Sequence, residues 1–241
     1  MKPFLLLALA ATLGTASAEE AQGIALPFKQ VSVSSPVFQE IINSILVEEG
    51  DTVTEGQPIV QLRSEREELE VLRTQKLIEL TQFKAKGADA LFKDKMGSKE
   101  KALEEQAQLE LSKILHQVAE VALKEKTIRS PLSGIVVKKY KEAGESVEKV
   151  EKLIDIVNID RVYVQFYLDP TFMETFKKGQ PVKVKFPVIA NEEFTAEVSF
   201  IDPRIDAGSG LFRIKVEIPN ADHKIKAGMR GKADFGKPAA R

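Results

Sequence analysis

Few residues of this chain have the types and spacing that chemistry needs. The two histidines, His116 and His223, sit in no ligand-spaced motif of histidines and carboxylates. Gly208-Ser209-Gly210 lacks the further glycine and the lysine of a phosphate loop, so it reads as a turn. Met1, Met96, Met173 and Met229 are scattered and recommend no soft-metal site. Nothing pairs a serine or aspartate with a base that would activate a nucleophile. Cysteine is absent, which excludes disulfides, thiolate metal sites, a cysteine nucleophile and a lipidated N-terminal cysteine. The expectation is a protein with no catalytic, cofactor-binding or metal-binding site, and therefore not an enzyme.

The 241 residues are 43% hydrophobic and 29% charged, a globular composition with length for one or two cores. A net charge of −1 gives no bulk attraction for nucleic acid. Residues 1–18 read as a cleaved signal peptide. Lys2 is the positive end, Phe4 to Leu13 the apolar core, and Ala16-Ser17-Ala18 the small-residue cleavage site. The apolar run is too short to span a bilayer, which takes ~20 residues. A cysteine-free exported chain fits a periplasm.

The elements that would position any functional residue centre on residues 64–127. Ser64 is an N-cap candidate, with Glu65, Glu67 and Glu68 in the first turn, where anions favour the helix dipole. Leu69, Leu72, Leu80 and Phe83 recur at helical spacing. Gly97-Ser98 breaks the pattern, and Ser98 is a second N-cap candidate. Leu103, Ala107, Leu111, Ile114, Val118 and Val121 then form one stripe. The spacing predicts two antiparallel helices, each roughly 40 Å long, sharing a narrow seam along these apolar stripes. His116 falls on the second helix as a solvated or seam residue.

Two β-rich segments flank the helices, residues 19–63 and 128–159, and they repeat one another. Each has Ser-Pro (Ser35-Pro36, Ser130-Pro131), an apolar strand, a Gly-acid-x-Val turn (Gly50 to Val53, Gly144 to Val147) and a second apolar strand. Such a repeat implies two quasi-equivalent halves closing one small β-sandwich. Val150 occupies the second-half position that matches Gly56, and Gln39-Glu40 stands where the second half has a glycine.

The paired halves resemble a lipoyl-like domain. A lipoyl-like domain split by a helical hairpin resembles the periplasmic adaptor subunits of efflux and secretion pumps, the membrane fusion proteins of the HlyD-like family. Val47 to Leu62, Ile128 to Gly134 and Gly144 to Val147 carry the match. A true lipoyl or biotinyl carrier presents one modified lysine on a tight turn between its halves; here Arg63 to Thr127 fill that junction.

From residue 160 the texture changes to alternating strands: Arg161 to Leu168, Val182 to Phe186, Phe194 to Phe200, Phe212 to Ile218 and Arg230 to Phe235. Asp169-Pro170 predicts a short helix closed by Gly179, with Met173 and Phe176 facing inward. Residues 160–236 are expected to form a small β-barrel. Phe200 to Pro203, Ile218 to Asn220 and Lys226 to Met229 resemble the adaptor barrel. Residues 237–241 are a tail, and the expectation is a short adaptor without a further membrane-proximal domain. The fold class is thus mainly β: a split lipoyl-like (barrel-sandwich hybrid) domain, an antiparallel coiled-coil hairpin and a small β-barrel.

The resemblance implies a non-catalytic bridge between an inner-membrane transporter and an outer-membrane channel. The first transporter class is resistance-nodulation-division (RND), the second ATP-driven (ABC). It also implies a cyclic homo-oligomer and no cofactor. The alternative is a periplasmic scaffold or accessory protein with no channel partner. In efflux adaptors a tip motif with an Arg, a Leu and a Ser meets the channel. Leu91 and Ser98 match the Leu and the Ser, while the Arg position falls on Gly87, with Lys84 and Lys86 nearby. Lys84, Lys86, Leu91 and Ser98 are therefore the candidate partner-binding residues. Six lysines between Lys84 and Lys101 make this tip basic, and a basic tip would be steered to an acidic rim.

Overall fold

The computed structural model describes residues 20–189 and 192–235. The leader expected at residues 1–18 and the tail at 237–241 lie outside them. The chain divides into two units, residues 29–158 and residues 20–28 with 159–235.

The strands are β1 (Glu20–Ser34), β2 (Glu40–Ile45), β3 (Thr52–Val53), β4 (Pro58–Leu62), β5 (Thr127–Arg129), β6 (Gly134–Lys139), β7 (Ser146–Val147) and β8 (Lys152–Leu168). The helices α1 (Glu65–Lys93) and α2 (Lys99–Glu125) interrupt them between β4 and β5. In the unit of residues 29–158, one sheet runs β5-β4-β2-β7, and β3 and β6 pair beside the first part of β8. Ile42, Ile59, Val60, Val136, Val147 and Ile154 are among the side chains that fill the space between.

The repeat is written into the hydrogen bonds. The Gly50 amide donates to the Val136 carbonyl at 2.8 Å, and the Val136 amide returns to the Asp51 carbonyl at 2.9 Å. The Gly144 amide donates to the Ile42 carbonyl at 2.8 Å, and the Ile42 amide returns to the Glu145 carbonyl at 2.9 Å. Each half clasps the other through the same turn. Both glycines have positive φ, 99° and 89°, which a side chain would resist.

The helices pack along a seam other than the expected one. The buried positions are Thr74, Thr81 and Ala85 on α1 and Leu109, Ser112 and Ala119 on α2. Thr74, Thr81 and Ser112 donate their hydroxyls to the carbonyls of Glu70, Leu77 and Gln108 in the preceding turn, so burying them leaves no polar group open. The stripes of Leu69, Leu72, Leu80 and Phe83 and of Leu103, Leu111, Ile114, Val118 and Val121 are exposed. At about 100° per residue both stripes lie nearly opposite the seam. Apart from Leu109 these buried side chains are small or short, which lets the two helices approach closely. Ser64 also departs from expectation. It stands at the α1 N-cap, but its hydroxyl donates to Glu68 Oε1 at 2.7 Å instead of accepting an amide.

The second unit adds β9 (Pro181–Lys185), β10 (Glu193–Ile205), β11 (Phe212–Pro219) and β12 (Arg230–Asp234). Antiparallel pairing runs β1-β12-β9-β10-β11-β8, and β1 also pairs with β8, which closes a barrel. Closure is tight at Gly23, where a Cβ would stand 2.6 Å from the Gln165 carbonyl oxygen. Inward residues alternate along β11 as Phe212, Ile214, Val216 and Ile218, as a half-buried strand requires. Between β8 and β9 the expected helix shrinks to one 3-10 turn, Pro170–Phe172. Asp169 caps it by accepting the Thr171 amide at 2.9 Å. Phe172 and Phe176, not Met173, are buried there, and the Phe172, Met173 and Thr175 amides donate three residues back, to the carbonyls of Asp169, Pro170 and Phe172, which winds the segment as a tight 3-10 turn.

Candidate functional site at the hairpin tip

α1 ends in a tight reversal built from its own carbonyls. The Met96 amide donates to the Leu91 carbonyl at 2.8 Å and the Lys95 amide to the Phe92 carbonyl at 3.0 Å. This double closure needs a left-handed residue, usually glycine, and Lys95 supplies it at φ 59°. Ser98 then starts α2, its Oγ accepting the Lys101 amide at 3.1 Å. Gly97 is pressed against the end of α1. A Cβ there would lie 3.1 Å from Leu91 Cβ, so glycine lets the turn fold onto Leu91.

The result is an open groove of about 450 Å³ across the tip, lined by Phe83, Lys84, Gly87, Ala88, Leu91, Gly97, Ser98, Lys101 and Glu105. Of the four residues expected at the tip, it brings together Lys84, Leu91 and Ser98; Lys86 is exposed outside it. Lys101 is held by Glu104 and Glu105, both at 2.9 Å, and these carboxylates raise its pKa, Glu105 most. Lys93 pairs with Asp89 at 2.7 Å. Lys84 forms no ion pair among the described residues and leaves its charge to the groove rim.

The base of the hairpin is held differently. Lys126, at the C-cap of α2, sends its side chain inward with 9% of it exposed. Its Nζ pairs with Glu40 on β2 and with Glu67 on α1, the latter at 3.1 Å. Burial pushes the Glu40 carboxyl up, but the Lys126 ammonium and the Ile41 amide outweigh it and hold the carboxyl below its ordinary value. One cation thus ties both helices to the sheet. Sequence reading missed it, because Glu40 and Lys126 are 86 positions apart.

His116 is a seam residue, its Nδ1 3.0 Å from Thr74 Oγ1 and its Nε2 3.7 Å from Glu120. His223 meets Asp160 at 2.8 Å. Gly208-Ser209-Gly210 is a turn, with the Ser209 amide donating to Asp206 Oδ1 at 2.8 Å. Among the described residues no three His, Asp or Glu side chains gather as a metal site. None of their helices is long and apolar enough to cross a membrane.

Residues 162–239 match the family model described as the CusB-like, beta-barrel domain. The nodulation protein NolF of Rhizobium meliloti is 25% identical over 223 residues, 86% of this chain and 60% of NolF. The chain therefore spans 60% of that relative's length, less than two thirds. A MacA-MexA chimeric protein containing the Pseudomonas aeruginosa MexA alpha-hairpin domain superposes with a TM-score of 0.81 at 20% identity. That match covers 92% of this chain and 79% of the chimera. The membrane fusion protein Spr0693 of Streptococcus pneumoniae superposes with a TM-score of 0.74 at 16% identity, over 89% of this chain and 99% of that one.

Proposed function

We infer that this chain is a periplasmic adaptor, or membrane fusion, protein: it shares the fold of solved adaptors, and its residues 162–239 match the CusB-like barrel model. It is a non-catalytic bridge that links an inner-membrane transporter to an outer-membrane channel. The barrel's likeness to the CusB-like domain favours an RND transporter over an ABC one. The chain works in the periplasm, standing on the inner membrane through its partners, and the hairpin tip with Lys84, Leu91 and Ser98 meets the channel.

The observation that carries this reading is the inverted hairpin. Its small-residue seam is satisfied internally, while Leu and Val stripes run along both outer edges. A lone helix pair gains nothing from apolar outer edges, which mark protein contact surfaces. Two different edges on opposite sides suit a heterologous contact, in which α1 of one copy meets α2 of the next and the rotation closes a ring. Such a ring of hairpins is a conduit wall.

The test is photocrosslinking in living cells from exposed Leu91 at the tip and exposed Val188 on the barrel. The expected products are an outer-membrane channel from Leu91 and a polytopic transporter from Val188. Capture of neither from well-expressed protein would leave the scaffold alternative.

A further inference from the structure

A histidine ring sits in the hairpin seam. His116 on α2 has 17% of its side chain exposed, and its Nδ1 stands 3.0 Å from Thr74 Oγ1 on α1. The Thr74 hydroxyl has one hydrogen to give, and its Oγ1 also lies 2.9 Å from the Glu70 carbonyl and 3.0 Å from the Val71 carbonyl. Thr81 makes the same pair of contacts, 2.9 Å to Leu77 and 3.1 Å to Ile78, with no imidazole bonded to it among the described residues. A carbonyl oxygen can only accept, so Thr74 spends its hydrogen on its own helix and accepts from the ring. Nδ1 therefore carries a hydrogen, and in the neutral ring Nε2 is a bare lone pair. That lone pair lies 3.7 Å from Glu120 Oε1, four residues along α2.

The neighbouring charges are engaged elsewhere. With Thr74 level with His116, Glu70 of α1 is level with Glu120, and Glu70 is held by Arg73 at 2.6 Å. On α2, Lys113 pairs with Glu110 at 2.8 Å. Of these groups only Glu120 stands within ion-pair distance of the ring.

We propose that His116 is a proton-operated clamp on the hairpin. A proton taken up from solvent at Nε2 turns two facing acceptors into an ion pair. The ring then donates through Nε2 to Glu120 and through Nδ1 to Thr74, and a charged donor makes the stronger bond across the seam. Histidine is the side chain that changes charge between about pH 5 and 8, so acidification tightens the helix pair. The sign follows from the partner: a group that gains one on protonation adds stability at low pH and loses it as pH rises. The clamp belongs to the hairpin itself and goes beyond the question of what its tip meets.

The test uses the purified full-length protein. Nitrogen NMR of the imidazole at about pH 8, assigned by the signal that His116→Gln removes, should find the hydrogen on Nδ1. Amide exchange of the seam residues, corrected for its intrinsic pH dependence, then reads hairpin opening at about pH 8 and pH 5.5. Over that range the opening equilibrium should fall about two- to fivefold further in the native protein than in His116→Gln or Glu120→Gln, the yield of a partly exposed ion pair. Glu120→Gln alters an exposed position and leaves the ring in the seam, so a ring that only fills space would keep its full pH response there. A hydrogen on Nε2 of the neutral ring overturns the bonding at Thr74 and the clamp with it. A native response no larger than that of Glu120→Gln overturns the clamp, as does a seam that loosens on acidification.

Discussion

Val150 and Gly56 occupy the same place in the two halves of the lipoyl-like unit, and both are left-handed, at φ 68° and 82°. The Gly56 amide donates to the Ser130 carbonyl at 2.8 Å, and the Val150 amide to the Ser35 carbonyl at 3.0 Å. Each turn ties itself to the serine of the opposite half. Glycine adopts that conformation without steric cost; a β-branched residue does not. Val150 also recovers little by burial, since it is 73% exposed. Val150→Gly should therefore stabilise the protein by about 1 kcal/mol, the relief of left-handed strain less glycine's greater freedom when unfolded. Gly56→Val should cost about the same. Denaturant unfolding of the two variants checks both signs, and a destabilised Val150→Gly would refute the argument.

That pair was legible before any coordinates, because aligning the two halves sets Val150 against Gly56. The hairpin was legible as two helices for the same kind of reason: an apolar period of three and four residues fixes helix type. The period does not say which face is inward. Leu72 and Val118 mark a face, and a face can be buried against its own partner helix or against another chain. The seam instead belongs to Thr74, Ser112 and Ala119, which carry little apolar signal. Lys126 was illegible, because its role depends on three segments meeting. At the tip, the spacing of Leu91 and Ser98 marks the turn, but the groove that they line with Phe83 and Gly87 is a matter of shape, which spacing does not encode.

Lys126 is the cation between Glu40 and Glu67, and removing it leaves two carboxylates facing each other. Lys126→Met should cost about 2 kcal/mol, less than the roughly 3–5 kcal/mol of a fully buried pair, because water reaches the rim. The pH dependence has a definite sign. The folded Glu40 carboxyl titrates below its ordinary value, so its contribution is complete above the unfolded pKa of about 4.5 and is lost as pH falls through the folded one. In Lys126→Met protonation relieves repulsion, so the deficit against the native protein should shrink between pH 7 and pH 4. Unfolding curves at the two pH values measure it, and a constant deficit would deny the carboxylates their part.

Asp202 on β10 gives a second pH test, within the barrel. Arg204 holds it from one side, Nε to Oδ1 at 3.1 Å, and Arg213 from the other, Nη2 to Oδ2 at 2.8 Å. Burial pushes its carboxyl up, but the Arg204 hydrogen bond dominates, and the pKa falls from 3.8 to about 2. A depressed carboxyl stabilises above its unfolded value and stops doing so as pH falls from 3.8 toward 2. Carboxyl-carbon NMR titration should find Asp202 ionised at pH 3. Arg204→Gln should bring its midpoint back toward the ordinary range, whereas an unmoved midpoint would assign the shift elsewhere.

The last prediction concerns the outward stripes. Thr74 faces His116 across the seam. In antiparallel helices, two residues back on one is level with two residues on along the other, so Leu72 is level with Val118 and Leu69 with Val121. If copies stand parallel and side by side, α1 of one against α2 of the next, these levels meet between chains. The chain has no cysteine, so a disulfide can be placed without background. Leu72→Cys with Val118→Cys in one chain should give, on mild oxidation in cells, a ladder of crosslinked species ending in one closed product. Within a single hairpin the two thiols point away from each other on opposite edges, well beyond the ~7 Å limit for bridging Cα atoms. Each single variant should remain largely monomeric, because a heterologous contact never sets Leu72 against its own copy. Dimers from Leu72→Cys alone would indicate a two-fold contact and remove the ring; a double variant that stays monomeric would mean that something other than a second copy covers the stripes.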